Sequence, residues 1–350
     1  MSPPRLNRTD RRTFIAFASI ALPVSVRGLL ADHHVISADP LTVDFDICSL
    51  RGRYTPVEDF YVRNHGEVPS NIAAAFLRIE GEVERPQEIT PNQLASLEKR
   101  KLGAVLECAG NPVATVGKVS NGIWEGWSFG EVLSLARPAN AGAYVNLFGR
   151  DGYARSIPIS RACADGMVVT HLNGQPLSRH HGAPWRALFP GWYGMDAVKW
   201  LERIVVSKTA LPANQAAYLE LTQGPTGEYE SRPLPRVQVK SLILSPENGA
   251  VLRHGRLQTV GIAWSGQGQI AKVDVSPDGG AEWRPAIIDR TAPYEWVWWH
   301  CELDVKRLGA VELACRATDE QGSTQPAKRD PRRLDGYGNS WYHRVGCVIV

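Results

Sequence analysis

Closely spaced cysteines, concentrated basic charge and long apolar runs are all missing from this 350-residue chain, and each absence closes off a class of function. The six cysteines, Cys48, Cys108, Cys163, Cys301, Cys315 and Cys347, form no C-x-x-C and no C-x-x-C-H. Zinc ribbons, thioredoxin-like redox chemistry and covalent c-type haem therefore find no support. The net charge is only +3, with no Lys/Arg block, so no nucleic acid partner is expected. No apolar run reaches the roughly 20 residues that cross a bilayer. Internal repeats and low-complexity tracts are absent too. What remains, 43% apolar and 21% charged residues, is the composition of a soluble globular protein with room for two ordinary domains.

The N-terminus reads as a targeting segment. Arg11-Arg12-Thr13-Phe14-Ile15 leads into an apolar run from Phe14 to Val26, too short to span a membrane. Paired arginines before Phe-Ile point to twin-arginine export, a route for proteins that fold around a cofactor first. The expectation is a signal segment over 1–31, with Ala31 as its candidate end, and a periplasmic mature protein without a membrane span. A Sec-type signal or a buried N-terminal helix is the plainer alternative. Cys301 and Cys315 could pair if oxidised outside the cytoplasm, although a chain folded before export needs no disulfide.

Two regions differ in pattern. Over 40–230, strand-like runs alternate with helix signals. Thr90-Pro91 predicts a helix start, with the helix running through Glu98. Ser128 and Glu131 make a capping-box pattern ahead of Val132 and Leu133. Gly103 to Cys108 reads as a buried strand ended by Gly110-Asn111-Pro112, which puts Cys108 at a strand end, where its side chain can face a cleft. After a Pro- and Gly-containing stretch, 236–350 turns all-β. Val237, Val239, Ser241 and Ile243 alternate, as do Val273 and Val275 before the turn Pro277-Asp278-Gly279-Gly280, and Val311, Leu313 and Cys315 later. Short strands at this spacing predict an immunoglobulin-like sandwich.

Taken singly, a cysteine at a strand end or an isolated histidine says little. Their order says more: Phe60-Tyr-Val-Arg-Asn-His65, of the pattern F-x-V-R-N-H, is followed by Glu107-Cys-Ala-Gly-Asn111, which carries C-A-G-N. In these segments the chain resembles the sulfite oxidase family. Gly122-Ile-Trp-Glu-Gly126, Tyr153-Ala-Arg-Ser-Ile-Pro158, His181-Gly-Ala-Pro-Trp-Arg186 and Pro190-Gly191 with Gly194 and Val198-Lys199-Trp200 follow in the family's order. Ala263-Trp-Ser-Gly266, Val273-Asp-Val-Ser276, Asp278-Gly-Gly280 with Trp283, and Arg316-Ala-Thr-Asp319 resemble its dimerisation domain.

The resemblance implies an α+β fold: a mixed α/β molybdopterin domain, then an immunoglobulin-like β-sandwich through which the chain forms a homodimer. It implies one molybdenum with molybdopterin per chain and Cys108 as the metal ligand. A soft thiolate suits molybdenum, and Arg63 would stand beside it in the catalytic pocket. Tyr61, Arg63, Asn64, His65, His181, Arg186 and Lys199 would surround the cofactor. Fixed donors and positive charge are what its terminal phosphate needs, and arginine can grip two oxygens at once. Asp151 and Ser156 would hydrogen-bond the pterin, and glycines at 191 and 194 would let backbone approach it.

The pattern also departs from the family. Arginines that hold the sulfite dianion fall on Val113 and near Asp335, and Arg63 remains. The pocket tyrosine has Tyr218 only in its general stretch. Lys118 lies in a shortened loop, more readily a solvated lysine than a replacement charge. A charged hydrogen bond contributes about 1.5–3 kcal/mol. Two lost arginines would then cost about 3–6 kcal/mol, roughly a hundred- to ten-thousand-fold in anion affinity, and Asp335 would add repulsion if it faced the pocket. The expected activity is oxygen-atom transfer to a small sulfur-containing substrate, with electrons leaving to a separate c-type cytochrome. Reduction of a sulfoxide or oxyanion on the same cofactor is one alternative, and a non-catalytic partner subunit that keeps the fold is another.

Overall fold

The computed structural model of the chain describes residues 34–72, 76–113, 116–212, 218–290 and 292–350. The arginine pair and the segment ending at Ala31 lie outside them. A small antiparallel sheet comes first, made of β1 (His34–Ala38), β2 (Leu41–Asp44) and β3 (Val62–Arg63). Pairing with Thr42 fixes Arg63 in place at the end of this sheet.

The elements that follow are β4 (Leu77–Gly81), β5 (Gln87–Ile89), helix α1 (Pro91–Leu94), β6 (Arg100–Glu107), β7 (Val119–Ser128) and helix α2 (Phe129–Ser134). After them come β8 (Tyr144–Gly149), β9 (Ala154–Pro158), helix α3 (Ile159–Asp165), β10 (Met167–Leu172), β11 (Gln175–Pro176), β12 (Arg186–Leu188) and β13 (Leu201–Ser207). They build two five-stranded sheets. One runs β11-β10-β7-β6 with β12 on β10; the other runs β5-β4-β13-β8-β9, where the β4–β13 pair is parallel. Leu77, Ile79, Val145, Leu147, Ile204 and Val206 of the second sheet pack with Trp127, Val168 and Ala187 of the first and with Phe129, Val132 and Leu133 of α2. Strands outweigh helices in this mixed region.

Both helix signals behave differently from expectation. Thr90 does cap α1, its hydroxyl accepting from the Gln93 N–H at 3.4 Å while Gln93 Oε1 accepts from the Thr90 N–H at 2.8 Å. The helix stops at Leu94 rather than Glu98 because the Ser96 hydroxyl donates to the Gln93 carbonyl (2.7 Å) and the Leu97 N–H turns to Leu94 instead. Ser128 makes no side-chain cap on α2. Its partner Glu131 pairs with Arg100 of β6 at 2.6 Å, and the Phe129 N–H is satisfied by the Gly166 carbonyl at 2.8 Å.

After the hairpin β14 (Leu219–Gln223) and β15 (Tyr229–Pro233) comes the sandwich. Its strands are β16 (Lys240–Ser245), β17 (Val251–Leu252), β18 (Gly255–Trp264), β19 (Ile270–Ser276), β20 (Arg284–Pro285), β21 (Ile287–Ile288), β22 (Val297–Val305), β23 (Gly309–Asp319) and β24 (His343–Ile349). Sheet β16-β18-β22-β21 faces sheet β17-β24-β23-β19-β20, and Ile243, Val273, Val275, Trp299, Leu303 and Leu313 fill the space between them. This is the expected immunoglobulin-like sandwich. Of the two readings of Cys301 and Cys315, the one without a disulfide matches the structure; both are free buried thiols. They stand on opposite sheets, Cys301 Sγ directed at the Pro285 carbonyl (3.8 Å) and Cys315 bonded to Ser241, its thiol pushed up to about 12 by burial.

The first sandwich strand begins at Lys240, so Val237 and Val239 precede it, and it is buried on both faces rather than one. Ile243 enters the sandwich core. Leu242 and Leu244 enter a different core, with Ile262, Trp264 and Trp296 on one side and Phe45, Val105, Val119 and Tyr193 on the other. The two regions of the sequence thus share an apolar layer, and the chain from His33 on is one compact unit.

Candidate functional site

Cys108 follows the last residue of β6, and the alternation of that strand explains what each side chain faces. Ala104 and Leu106 pack with Phe60, Tyr61 and Trp124, with Cys108 against the same group. Val105 and Ala109 face the layer shared with the sandwich. Cys108 therefore opens into a solvent-connected cleft lined also by Tyr61, Arg63, Asn64, His65, Asp151, Tyr153, His181, Arg186, Gly194, Lys199 and Tyr218. Burial raises the Cys108 thiol above its usual range, against the pull of the Gly110 N–H, Arg63 and Lys118. A metal would displace that proton on binding.

Positive charge in the cleft outweighs negative charge. Asp151 is its one carboxylate among the described lining residues, and Arg63, Arg186 and Lys199 make no ion pair among the described residues. Arg186 is fully buried under the Trp124 ring (5.2 Å), donates to the His181 carbonyl (3.1 Å) and keeps its Nε without a partner. Burial brings its guanidinium down to about 10. Burial, then Arg186, sets Lys199 well below the ordinary lysine range. Lys199 donates to the His180 carbonyl at 2.9 Å and to Asn64 Oδ1. Because lysine can only donate, this fixes the Asn64 amide and leaves its buried Nδ2 unpaired. His181 is driven down to about 3 by burial and the neighbouring Lys199 and Arg186. It is neutral, with Nε2 donating to the Val57 carbonyl (3.3 Å).

Two orphaned buried donors, and two cations without an ion pair among the described residues, are what an anionic ligand with many acceptors would satisfy. Each orphaned donor costs about 1–3 kcal/mol until it is met. At Gly194 an added Cβ would lie 2.8 Å from the Tyr61 hydroxyl, so a larger residue there would have to displace that hydroxyl. A molybdopterin with its terminal phosphate fits this donor set. Arg186, Lys199 and Asn64 would hold the phosphate end, and Cys108 would take the metal.

Ten of the eleven expected residues line the cleft, and Ser156 does not. Its hydroxyl donates to Asn146 Oδ1 (2.7 Å) and accepts from the Leu211 N–H (2.8 Å), holding β8 to β9 instead. Gly191, at φ +78°, meets the Gly266 carbonyl of the sandwich rather than the cleft. Tyr218 does reach the site, its hydroxyl bonded to His65 Nε2. The sequence reading missed Tyr153, which stacks on His65 at 4.6 Å and donates to the Met195 carbonyl at 2.8 Å; its place at the head of the Y-x-x-S-I-P segment was the available signal. Val113 is buried, and Lys118 pairs with Asp44 at 3.2 Å. Asp335 does not face the cleft. Burial pushes it up, but Arg333 and the Leu221 and Tyr337 N–H groups outweigh this and hold it well below the usual carboxylate range.

Comparison with known proteins agrees. Residues 65–215 match the oxidoreductase molybdopterin binding domain and 232–349 the Mo-co oxidoreductase dimerisation domain. Sulfite oxidase from Gallus gallus is 31% identical over 83% of this chain and 72% of its own. Nitrate reductase [NADH] from Ulva prolifera is 32% identical over 90% of this chain and 42% of its own. The sulfane dehydrogenase SoxCD from Paracoccus pantotrophus superposes with a TM-score of 0.83 at 26% identity, over 98% of this chain and 93% of that one. With this cleft and this two-part fold, the chain belongs to the sulfite oxidase family and is a molybdopterin-dependent oxidoreductase.

Proposed function

We propose that this enzyme oxidises a sulfur compound of low charge, adding one oxygen from water and sending the two electrons singly to a separate c-type cytochrome. The carrying observation is the distribution of charge in the cleft. Lys199 feels Arg186, Asp151 and Arg63, while at Cys108 the cations felt are Arg63 and Lys118, and Lys118 is paired with Asp44. Arg63 alone then greets an anion beside the thiolate, with the hydroxyls of Tyr61 and Tyr218 as neutral donors. A dianion such as sulfite would be held weakly, and a neutral or singly charged sulfur better. The likeness to a sulfane dehydrogenase supports this choice.

The reaction balances as R–S + H2O → R–SO + 2 H⁺ + 2 e⁻. The molybdenum cofactor, when bound, supplies the oxygen-transfer and two-electron chemistry. The protein residues orient and exclude: Arg63 and the tyrosines set the substrate, and the Leu106 and Ala197 side chains keep that end apolar. Export by the twin-arginine route to the periplasm rests on Arg11-Arg12-Thr13-Phe14-Ile15, and a homodimer through the sandwich rests on the dimerisation-domain match.

Dye-linked turnover of the purified, molybdenum-assayed protein tests the reading. Persulfide or polysulfide should be oxidised well and sulfite only at millimolar concentration. Fast turnover at micromolar sulfite would overturn it. A reductive activity is the second reading, favoured by the nitrate reductase relative; viologen-driven reduction of nitrate or a sulfoxide, faster than any sulfur oxidation, would select it.

A further inference from the structure

Glu107 stands immediately before Cys108 and points the other way, into the layer shared with the sandwich. Its carboxylate is buried, at 1% exposure, and donors from three places converge on it. Asn111 Nδ2 donates at 3.0 Å from the thiolate's own loop, Trp264 Nε1 at 2.9 Å from β18, and Lys240 Nζ from β16. Lys240 is itself 2% exposed and lies against the Trp264 ring (5.7 Å). Among the described residues Glu107 is its one ion-pair partner.

The same loop is held from further directions. Asn111 Oδ1 accepts from the N–H groups of Gly117 and Lys118, and the Cys108 N–H donates to the Lys118 carbonyl at 2.9 Å. From the C-terminal region, the Gly338 N–H donates to the Ala109 carbonyl (3.0 Å) and Asn339 Nδ2 to the Asn111 carbonyl (3.2 Å). Four groups of the sandwich region therefore bond within the five residues Glu107 to Asn111.

We propose that Lys240 is a positioning residue for the metal-binding thiolate: acting through Glu107, it fixes where the Cys108 sulfur sits and the field it feels. A buried carboxylate one residue from a thiolate would otherwise either repel it or twist away to find solvent. Held by Lys240 and Trp264, it becomes a rigid, neutralised anchor, and the sandwich becomes part of the site. The inference rests on Cys108 as the molybdenum ligand and is independent of which sulfur compound is oxidised.

The test uses the purified holoenzyme and reads molybdenum per chain, the sulfur-to-molybdenum charge-transfer band and the Mo(V) g-values, with thermal melting alongside. Lys240→Met should lower molybdenum content at least tenfold, and Lys240→Arg should retain most of it. Should Lys240→Met fail to fold, the neutral pair Glu107→Gln/Lys240→Met removes both charges together. That double variant should melt cooperatively and carry molybdenum, with a displaced band and altered g-values. A double variant with wild-type band and g-values overturns the proposal, because the pair then serves folding alone. So does a Lys240→Met variant that loses only thermal stability. Cys108→Ser is the separate control: a band that survives there removes the ligand assignment on which the proposal rests.

Discussion

At the scale of single residues, Cys108 and Arg186 have the sharpest expected outcomes. Cys108→Ser should abolish turnover while the protein melts as the wild type does, since the thiol lies in a cleft rather than a core; turnover within tenfold of wild type would remove it from the metal. Arg186→Met should lower cofactor content ten- to a hundredfold, in line with about 1.5–3 kcal/mol for a charged hydrogen bond. Full occupancy measured by metal analysis would contradict that role. Buried His181 and half-buried His343 set a pH dependence. His343 Nδ1 accepts the Ile243 N–H at 3.1 Å, and burial with Lys240 nearby lowers its pKa to about 4; His181 falls to about 3. Both are neutral when folded, whereas the unfolded chain protonates them near 6.5. The unfolded state therefore binds more protons as pH falls, and stability decreases from about pH 6.5 downward until the folded pKa values are passed. Denaturant titrations at pH 7 and pH 4.5 should show this loss, and His343→Gln should flatten the slope.

At the scale of elements, the alternation along β6 made the site legible. Once Gly103 to Cys108 reads as a strand, the cysteine and the glutamate before it must face opposite ways, and they do. The motifs found the rest of the cleft because they sit where strands end. What the sequence hid were local competitions. Ser96 takes the carbonyl that would have extended α1, Glu131 prefers Arg100 to the cap, and Ser156 bonds Asn146 of the neighbouring strand. A capping pattern states what a side chain can do, not which nearby partner wins. Asp335 shows the same limit, for its neutralising arginine lies two residues away but its backbone donors come from Leu221 and Tyr337. Within the thiolate loop, Asn111→Ala removes the acceptor for two N–H groups and the donor to Glu107. It should cost about 1–3 kcal/mol per orphaned group, read as a lower melting temperature together with reduced molybdenum content.

At the scale of the whole molecule, the composition break near residue 230 suggests two separable domains, and the shared apolar layer says otherwise. Deletion from residue 236 would strip Leu242, Leu244, Ile262, Trp264 and Trp296 from Phe45, Val105, Val119 and Tyr193. The truncated chain should therefore not melt cooperatively or hold molybdenum, rather than simply becoming a monomer. A soluble, cooperatively melting fragment loaded with metal would refute this. The sequence concealed it because a strand that serves two cores looks like any other apolar run: the residues of β16 give no hint that its second face belongs to the other domain.

Strand β16 also has only one workable register. Lys240 points to Glu107, while Ser241 on the opposite face accepts from Trp299 Nε1 at 2.9 Å inside the sandwich. A slip of one residue would exchange the two, burying an ammonium among hydrocarbon and leaving a hydroxyl to face the carboxylate. The error would be rejected by both cores at once. A sandwich closed out of step would leave Glu107 without its ammonium partner and the thiolate loop without that anchor.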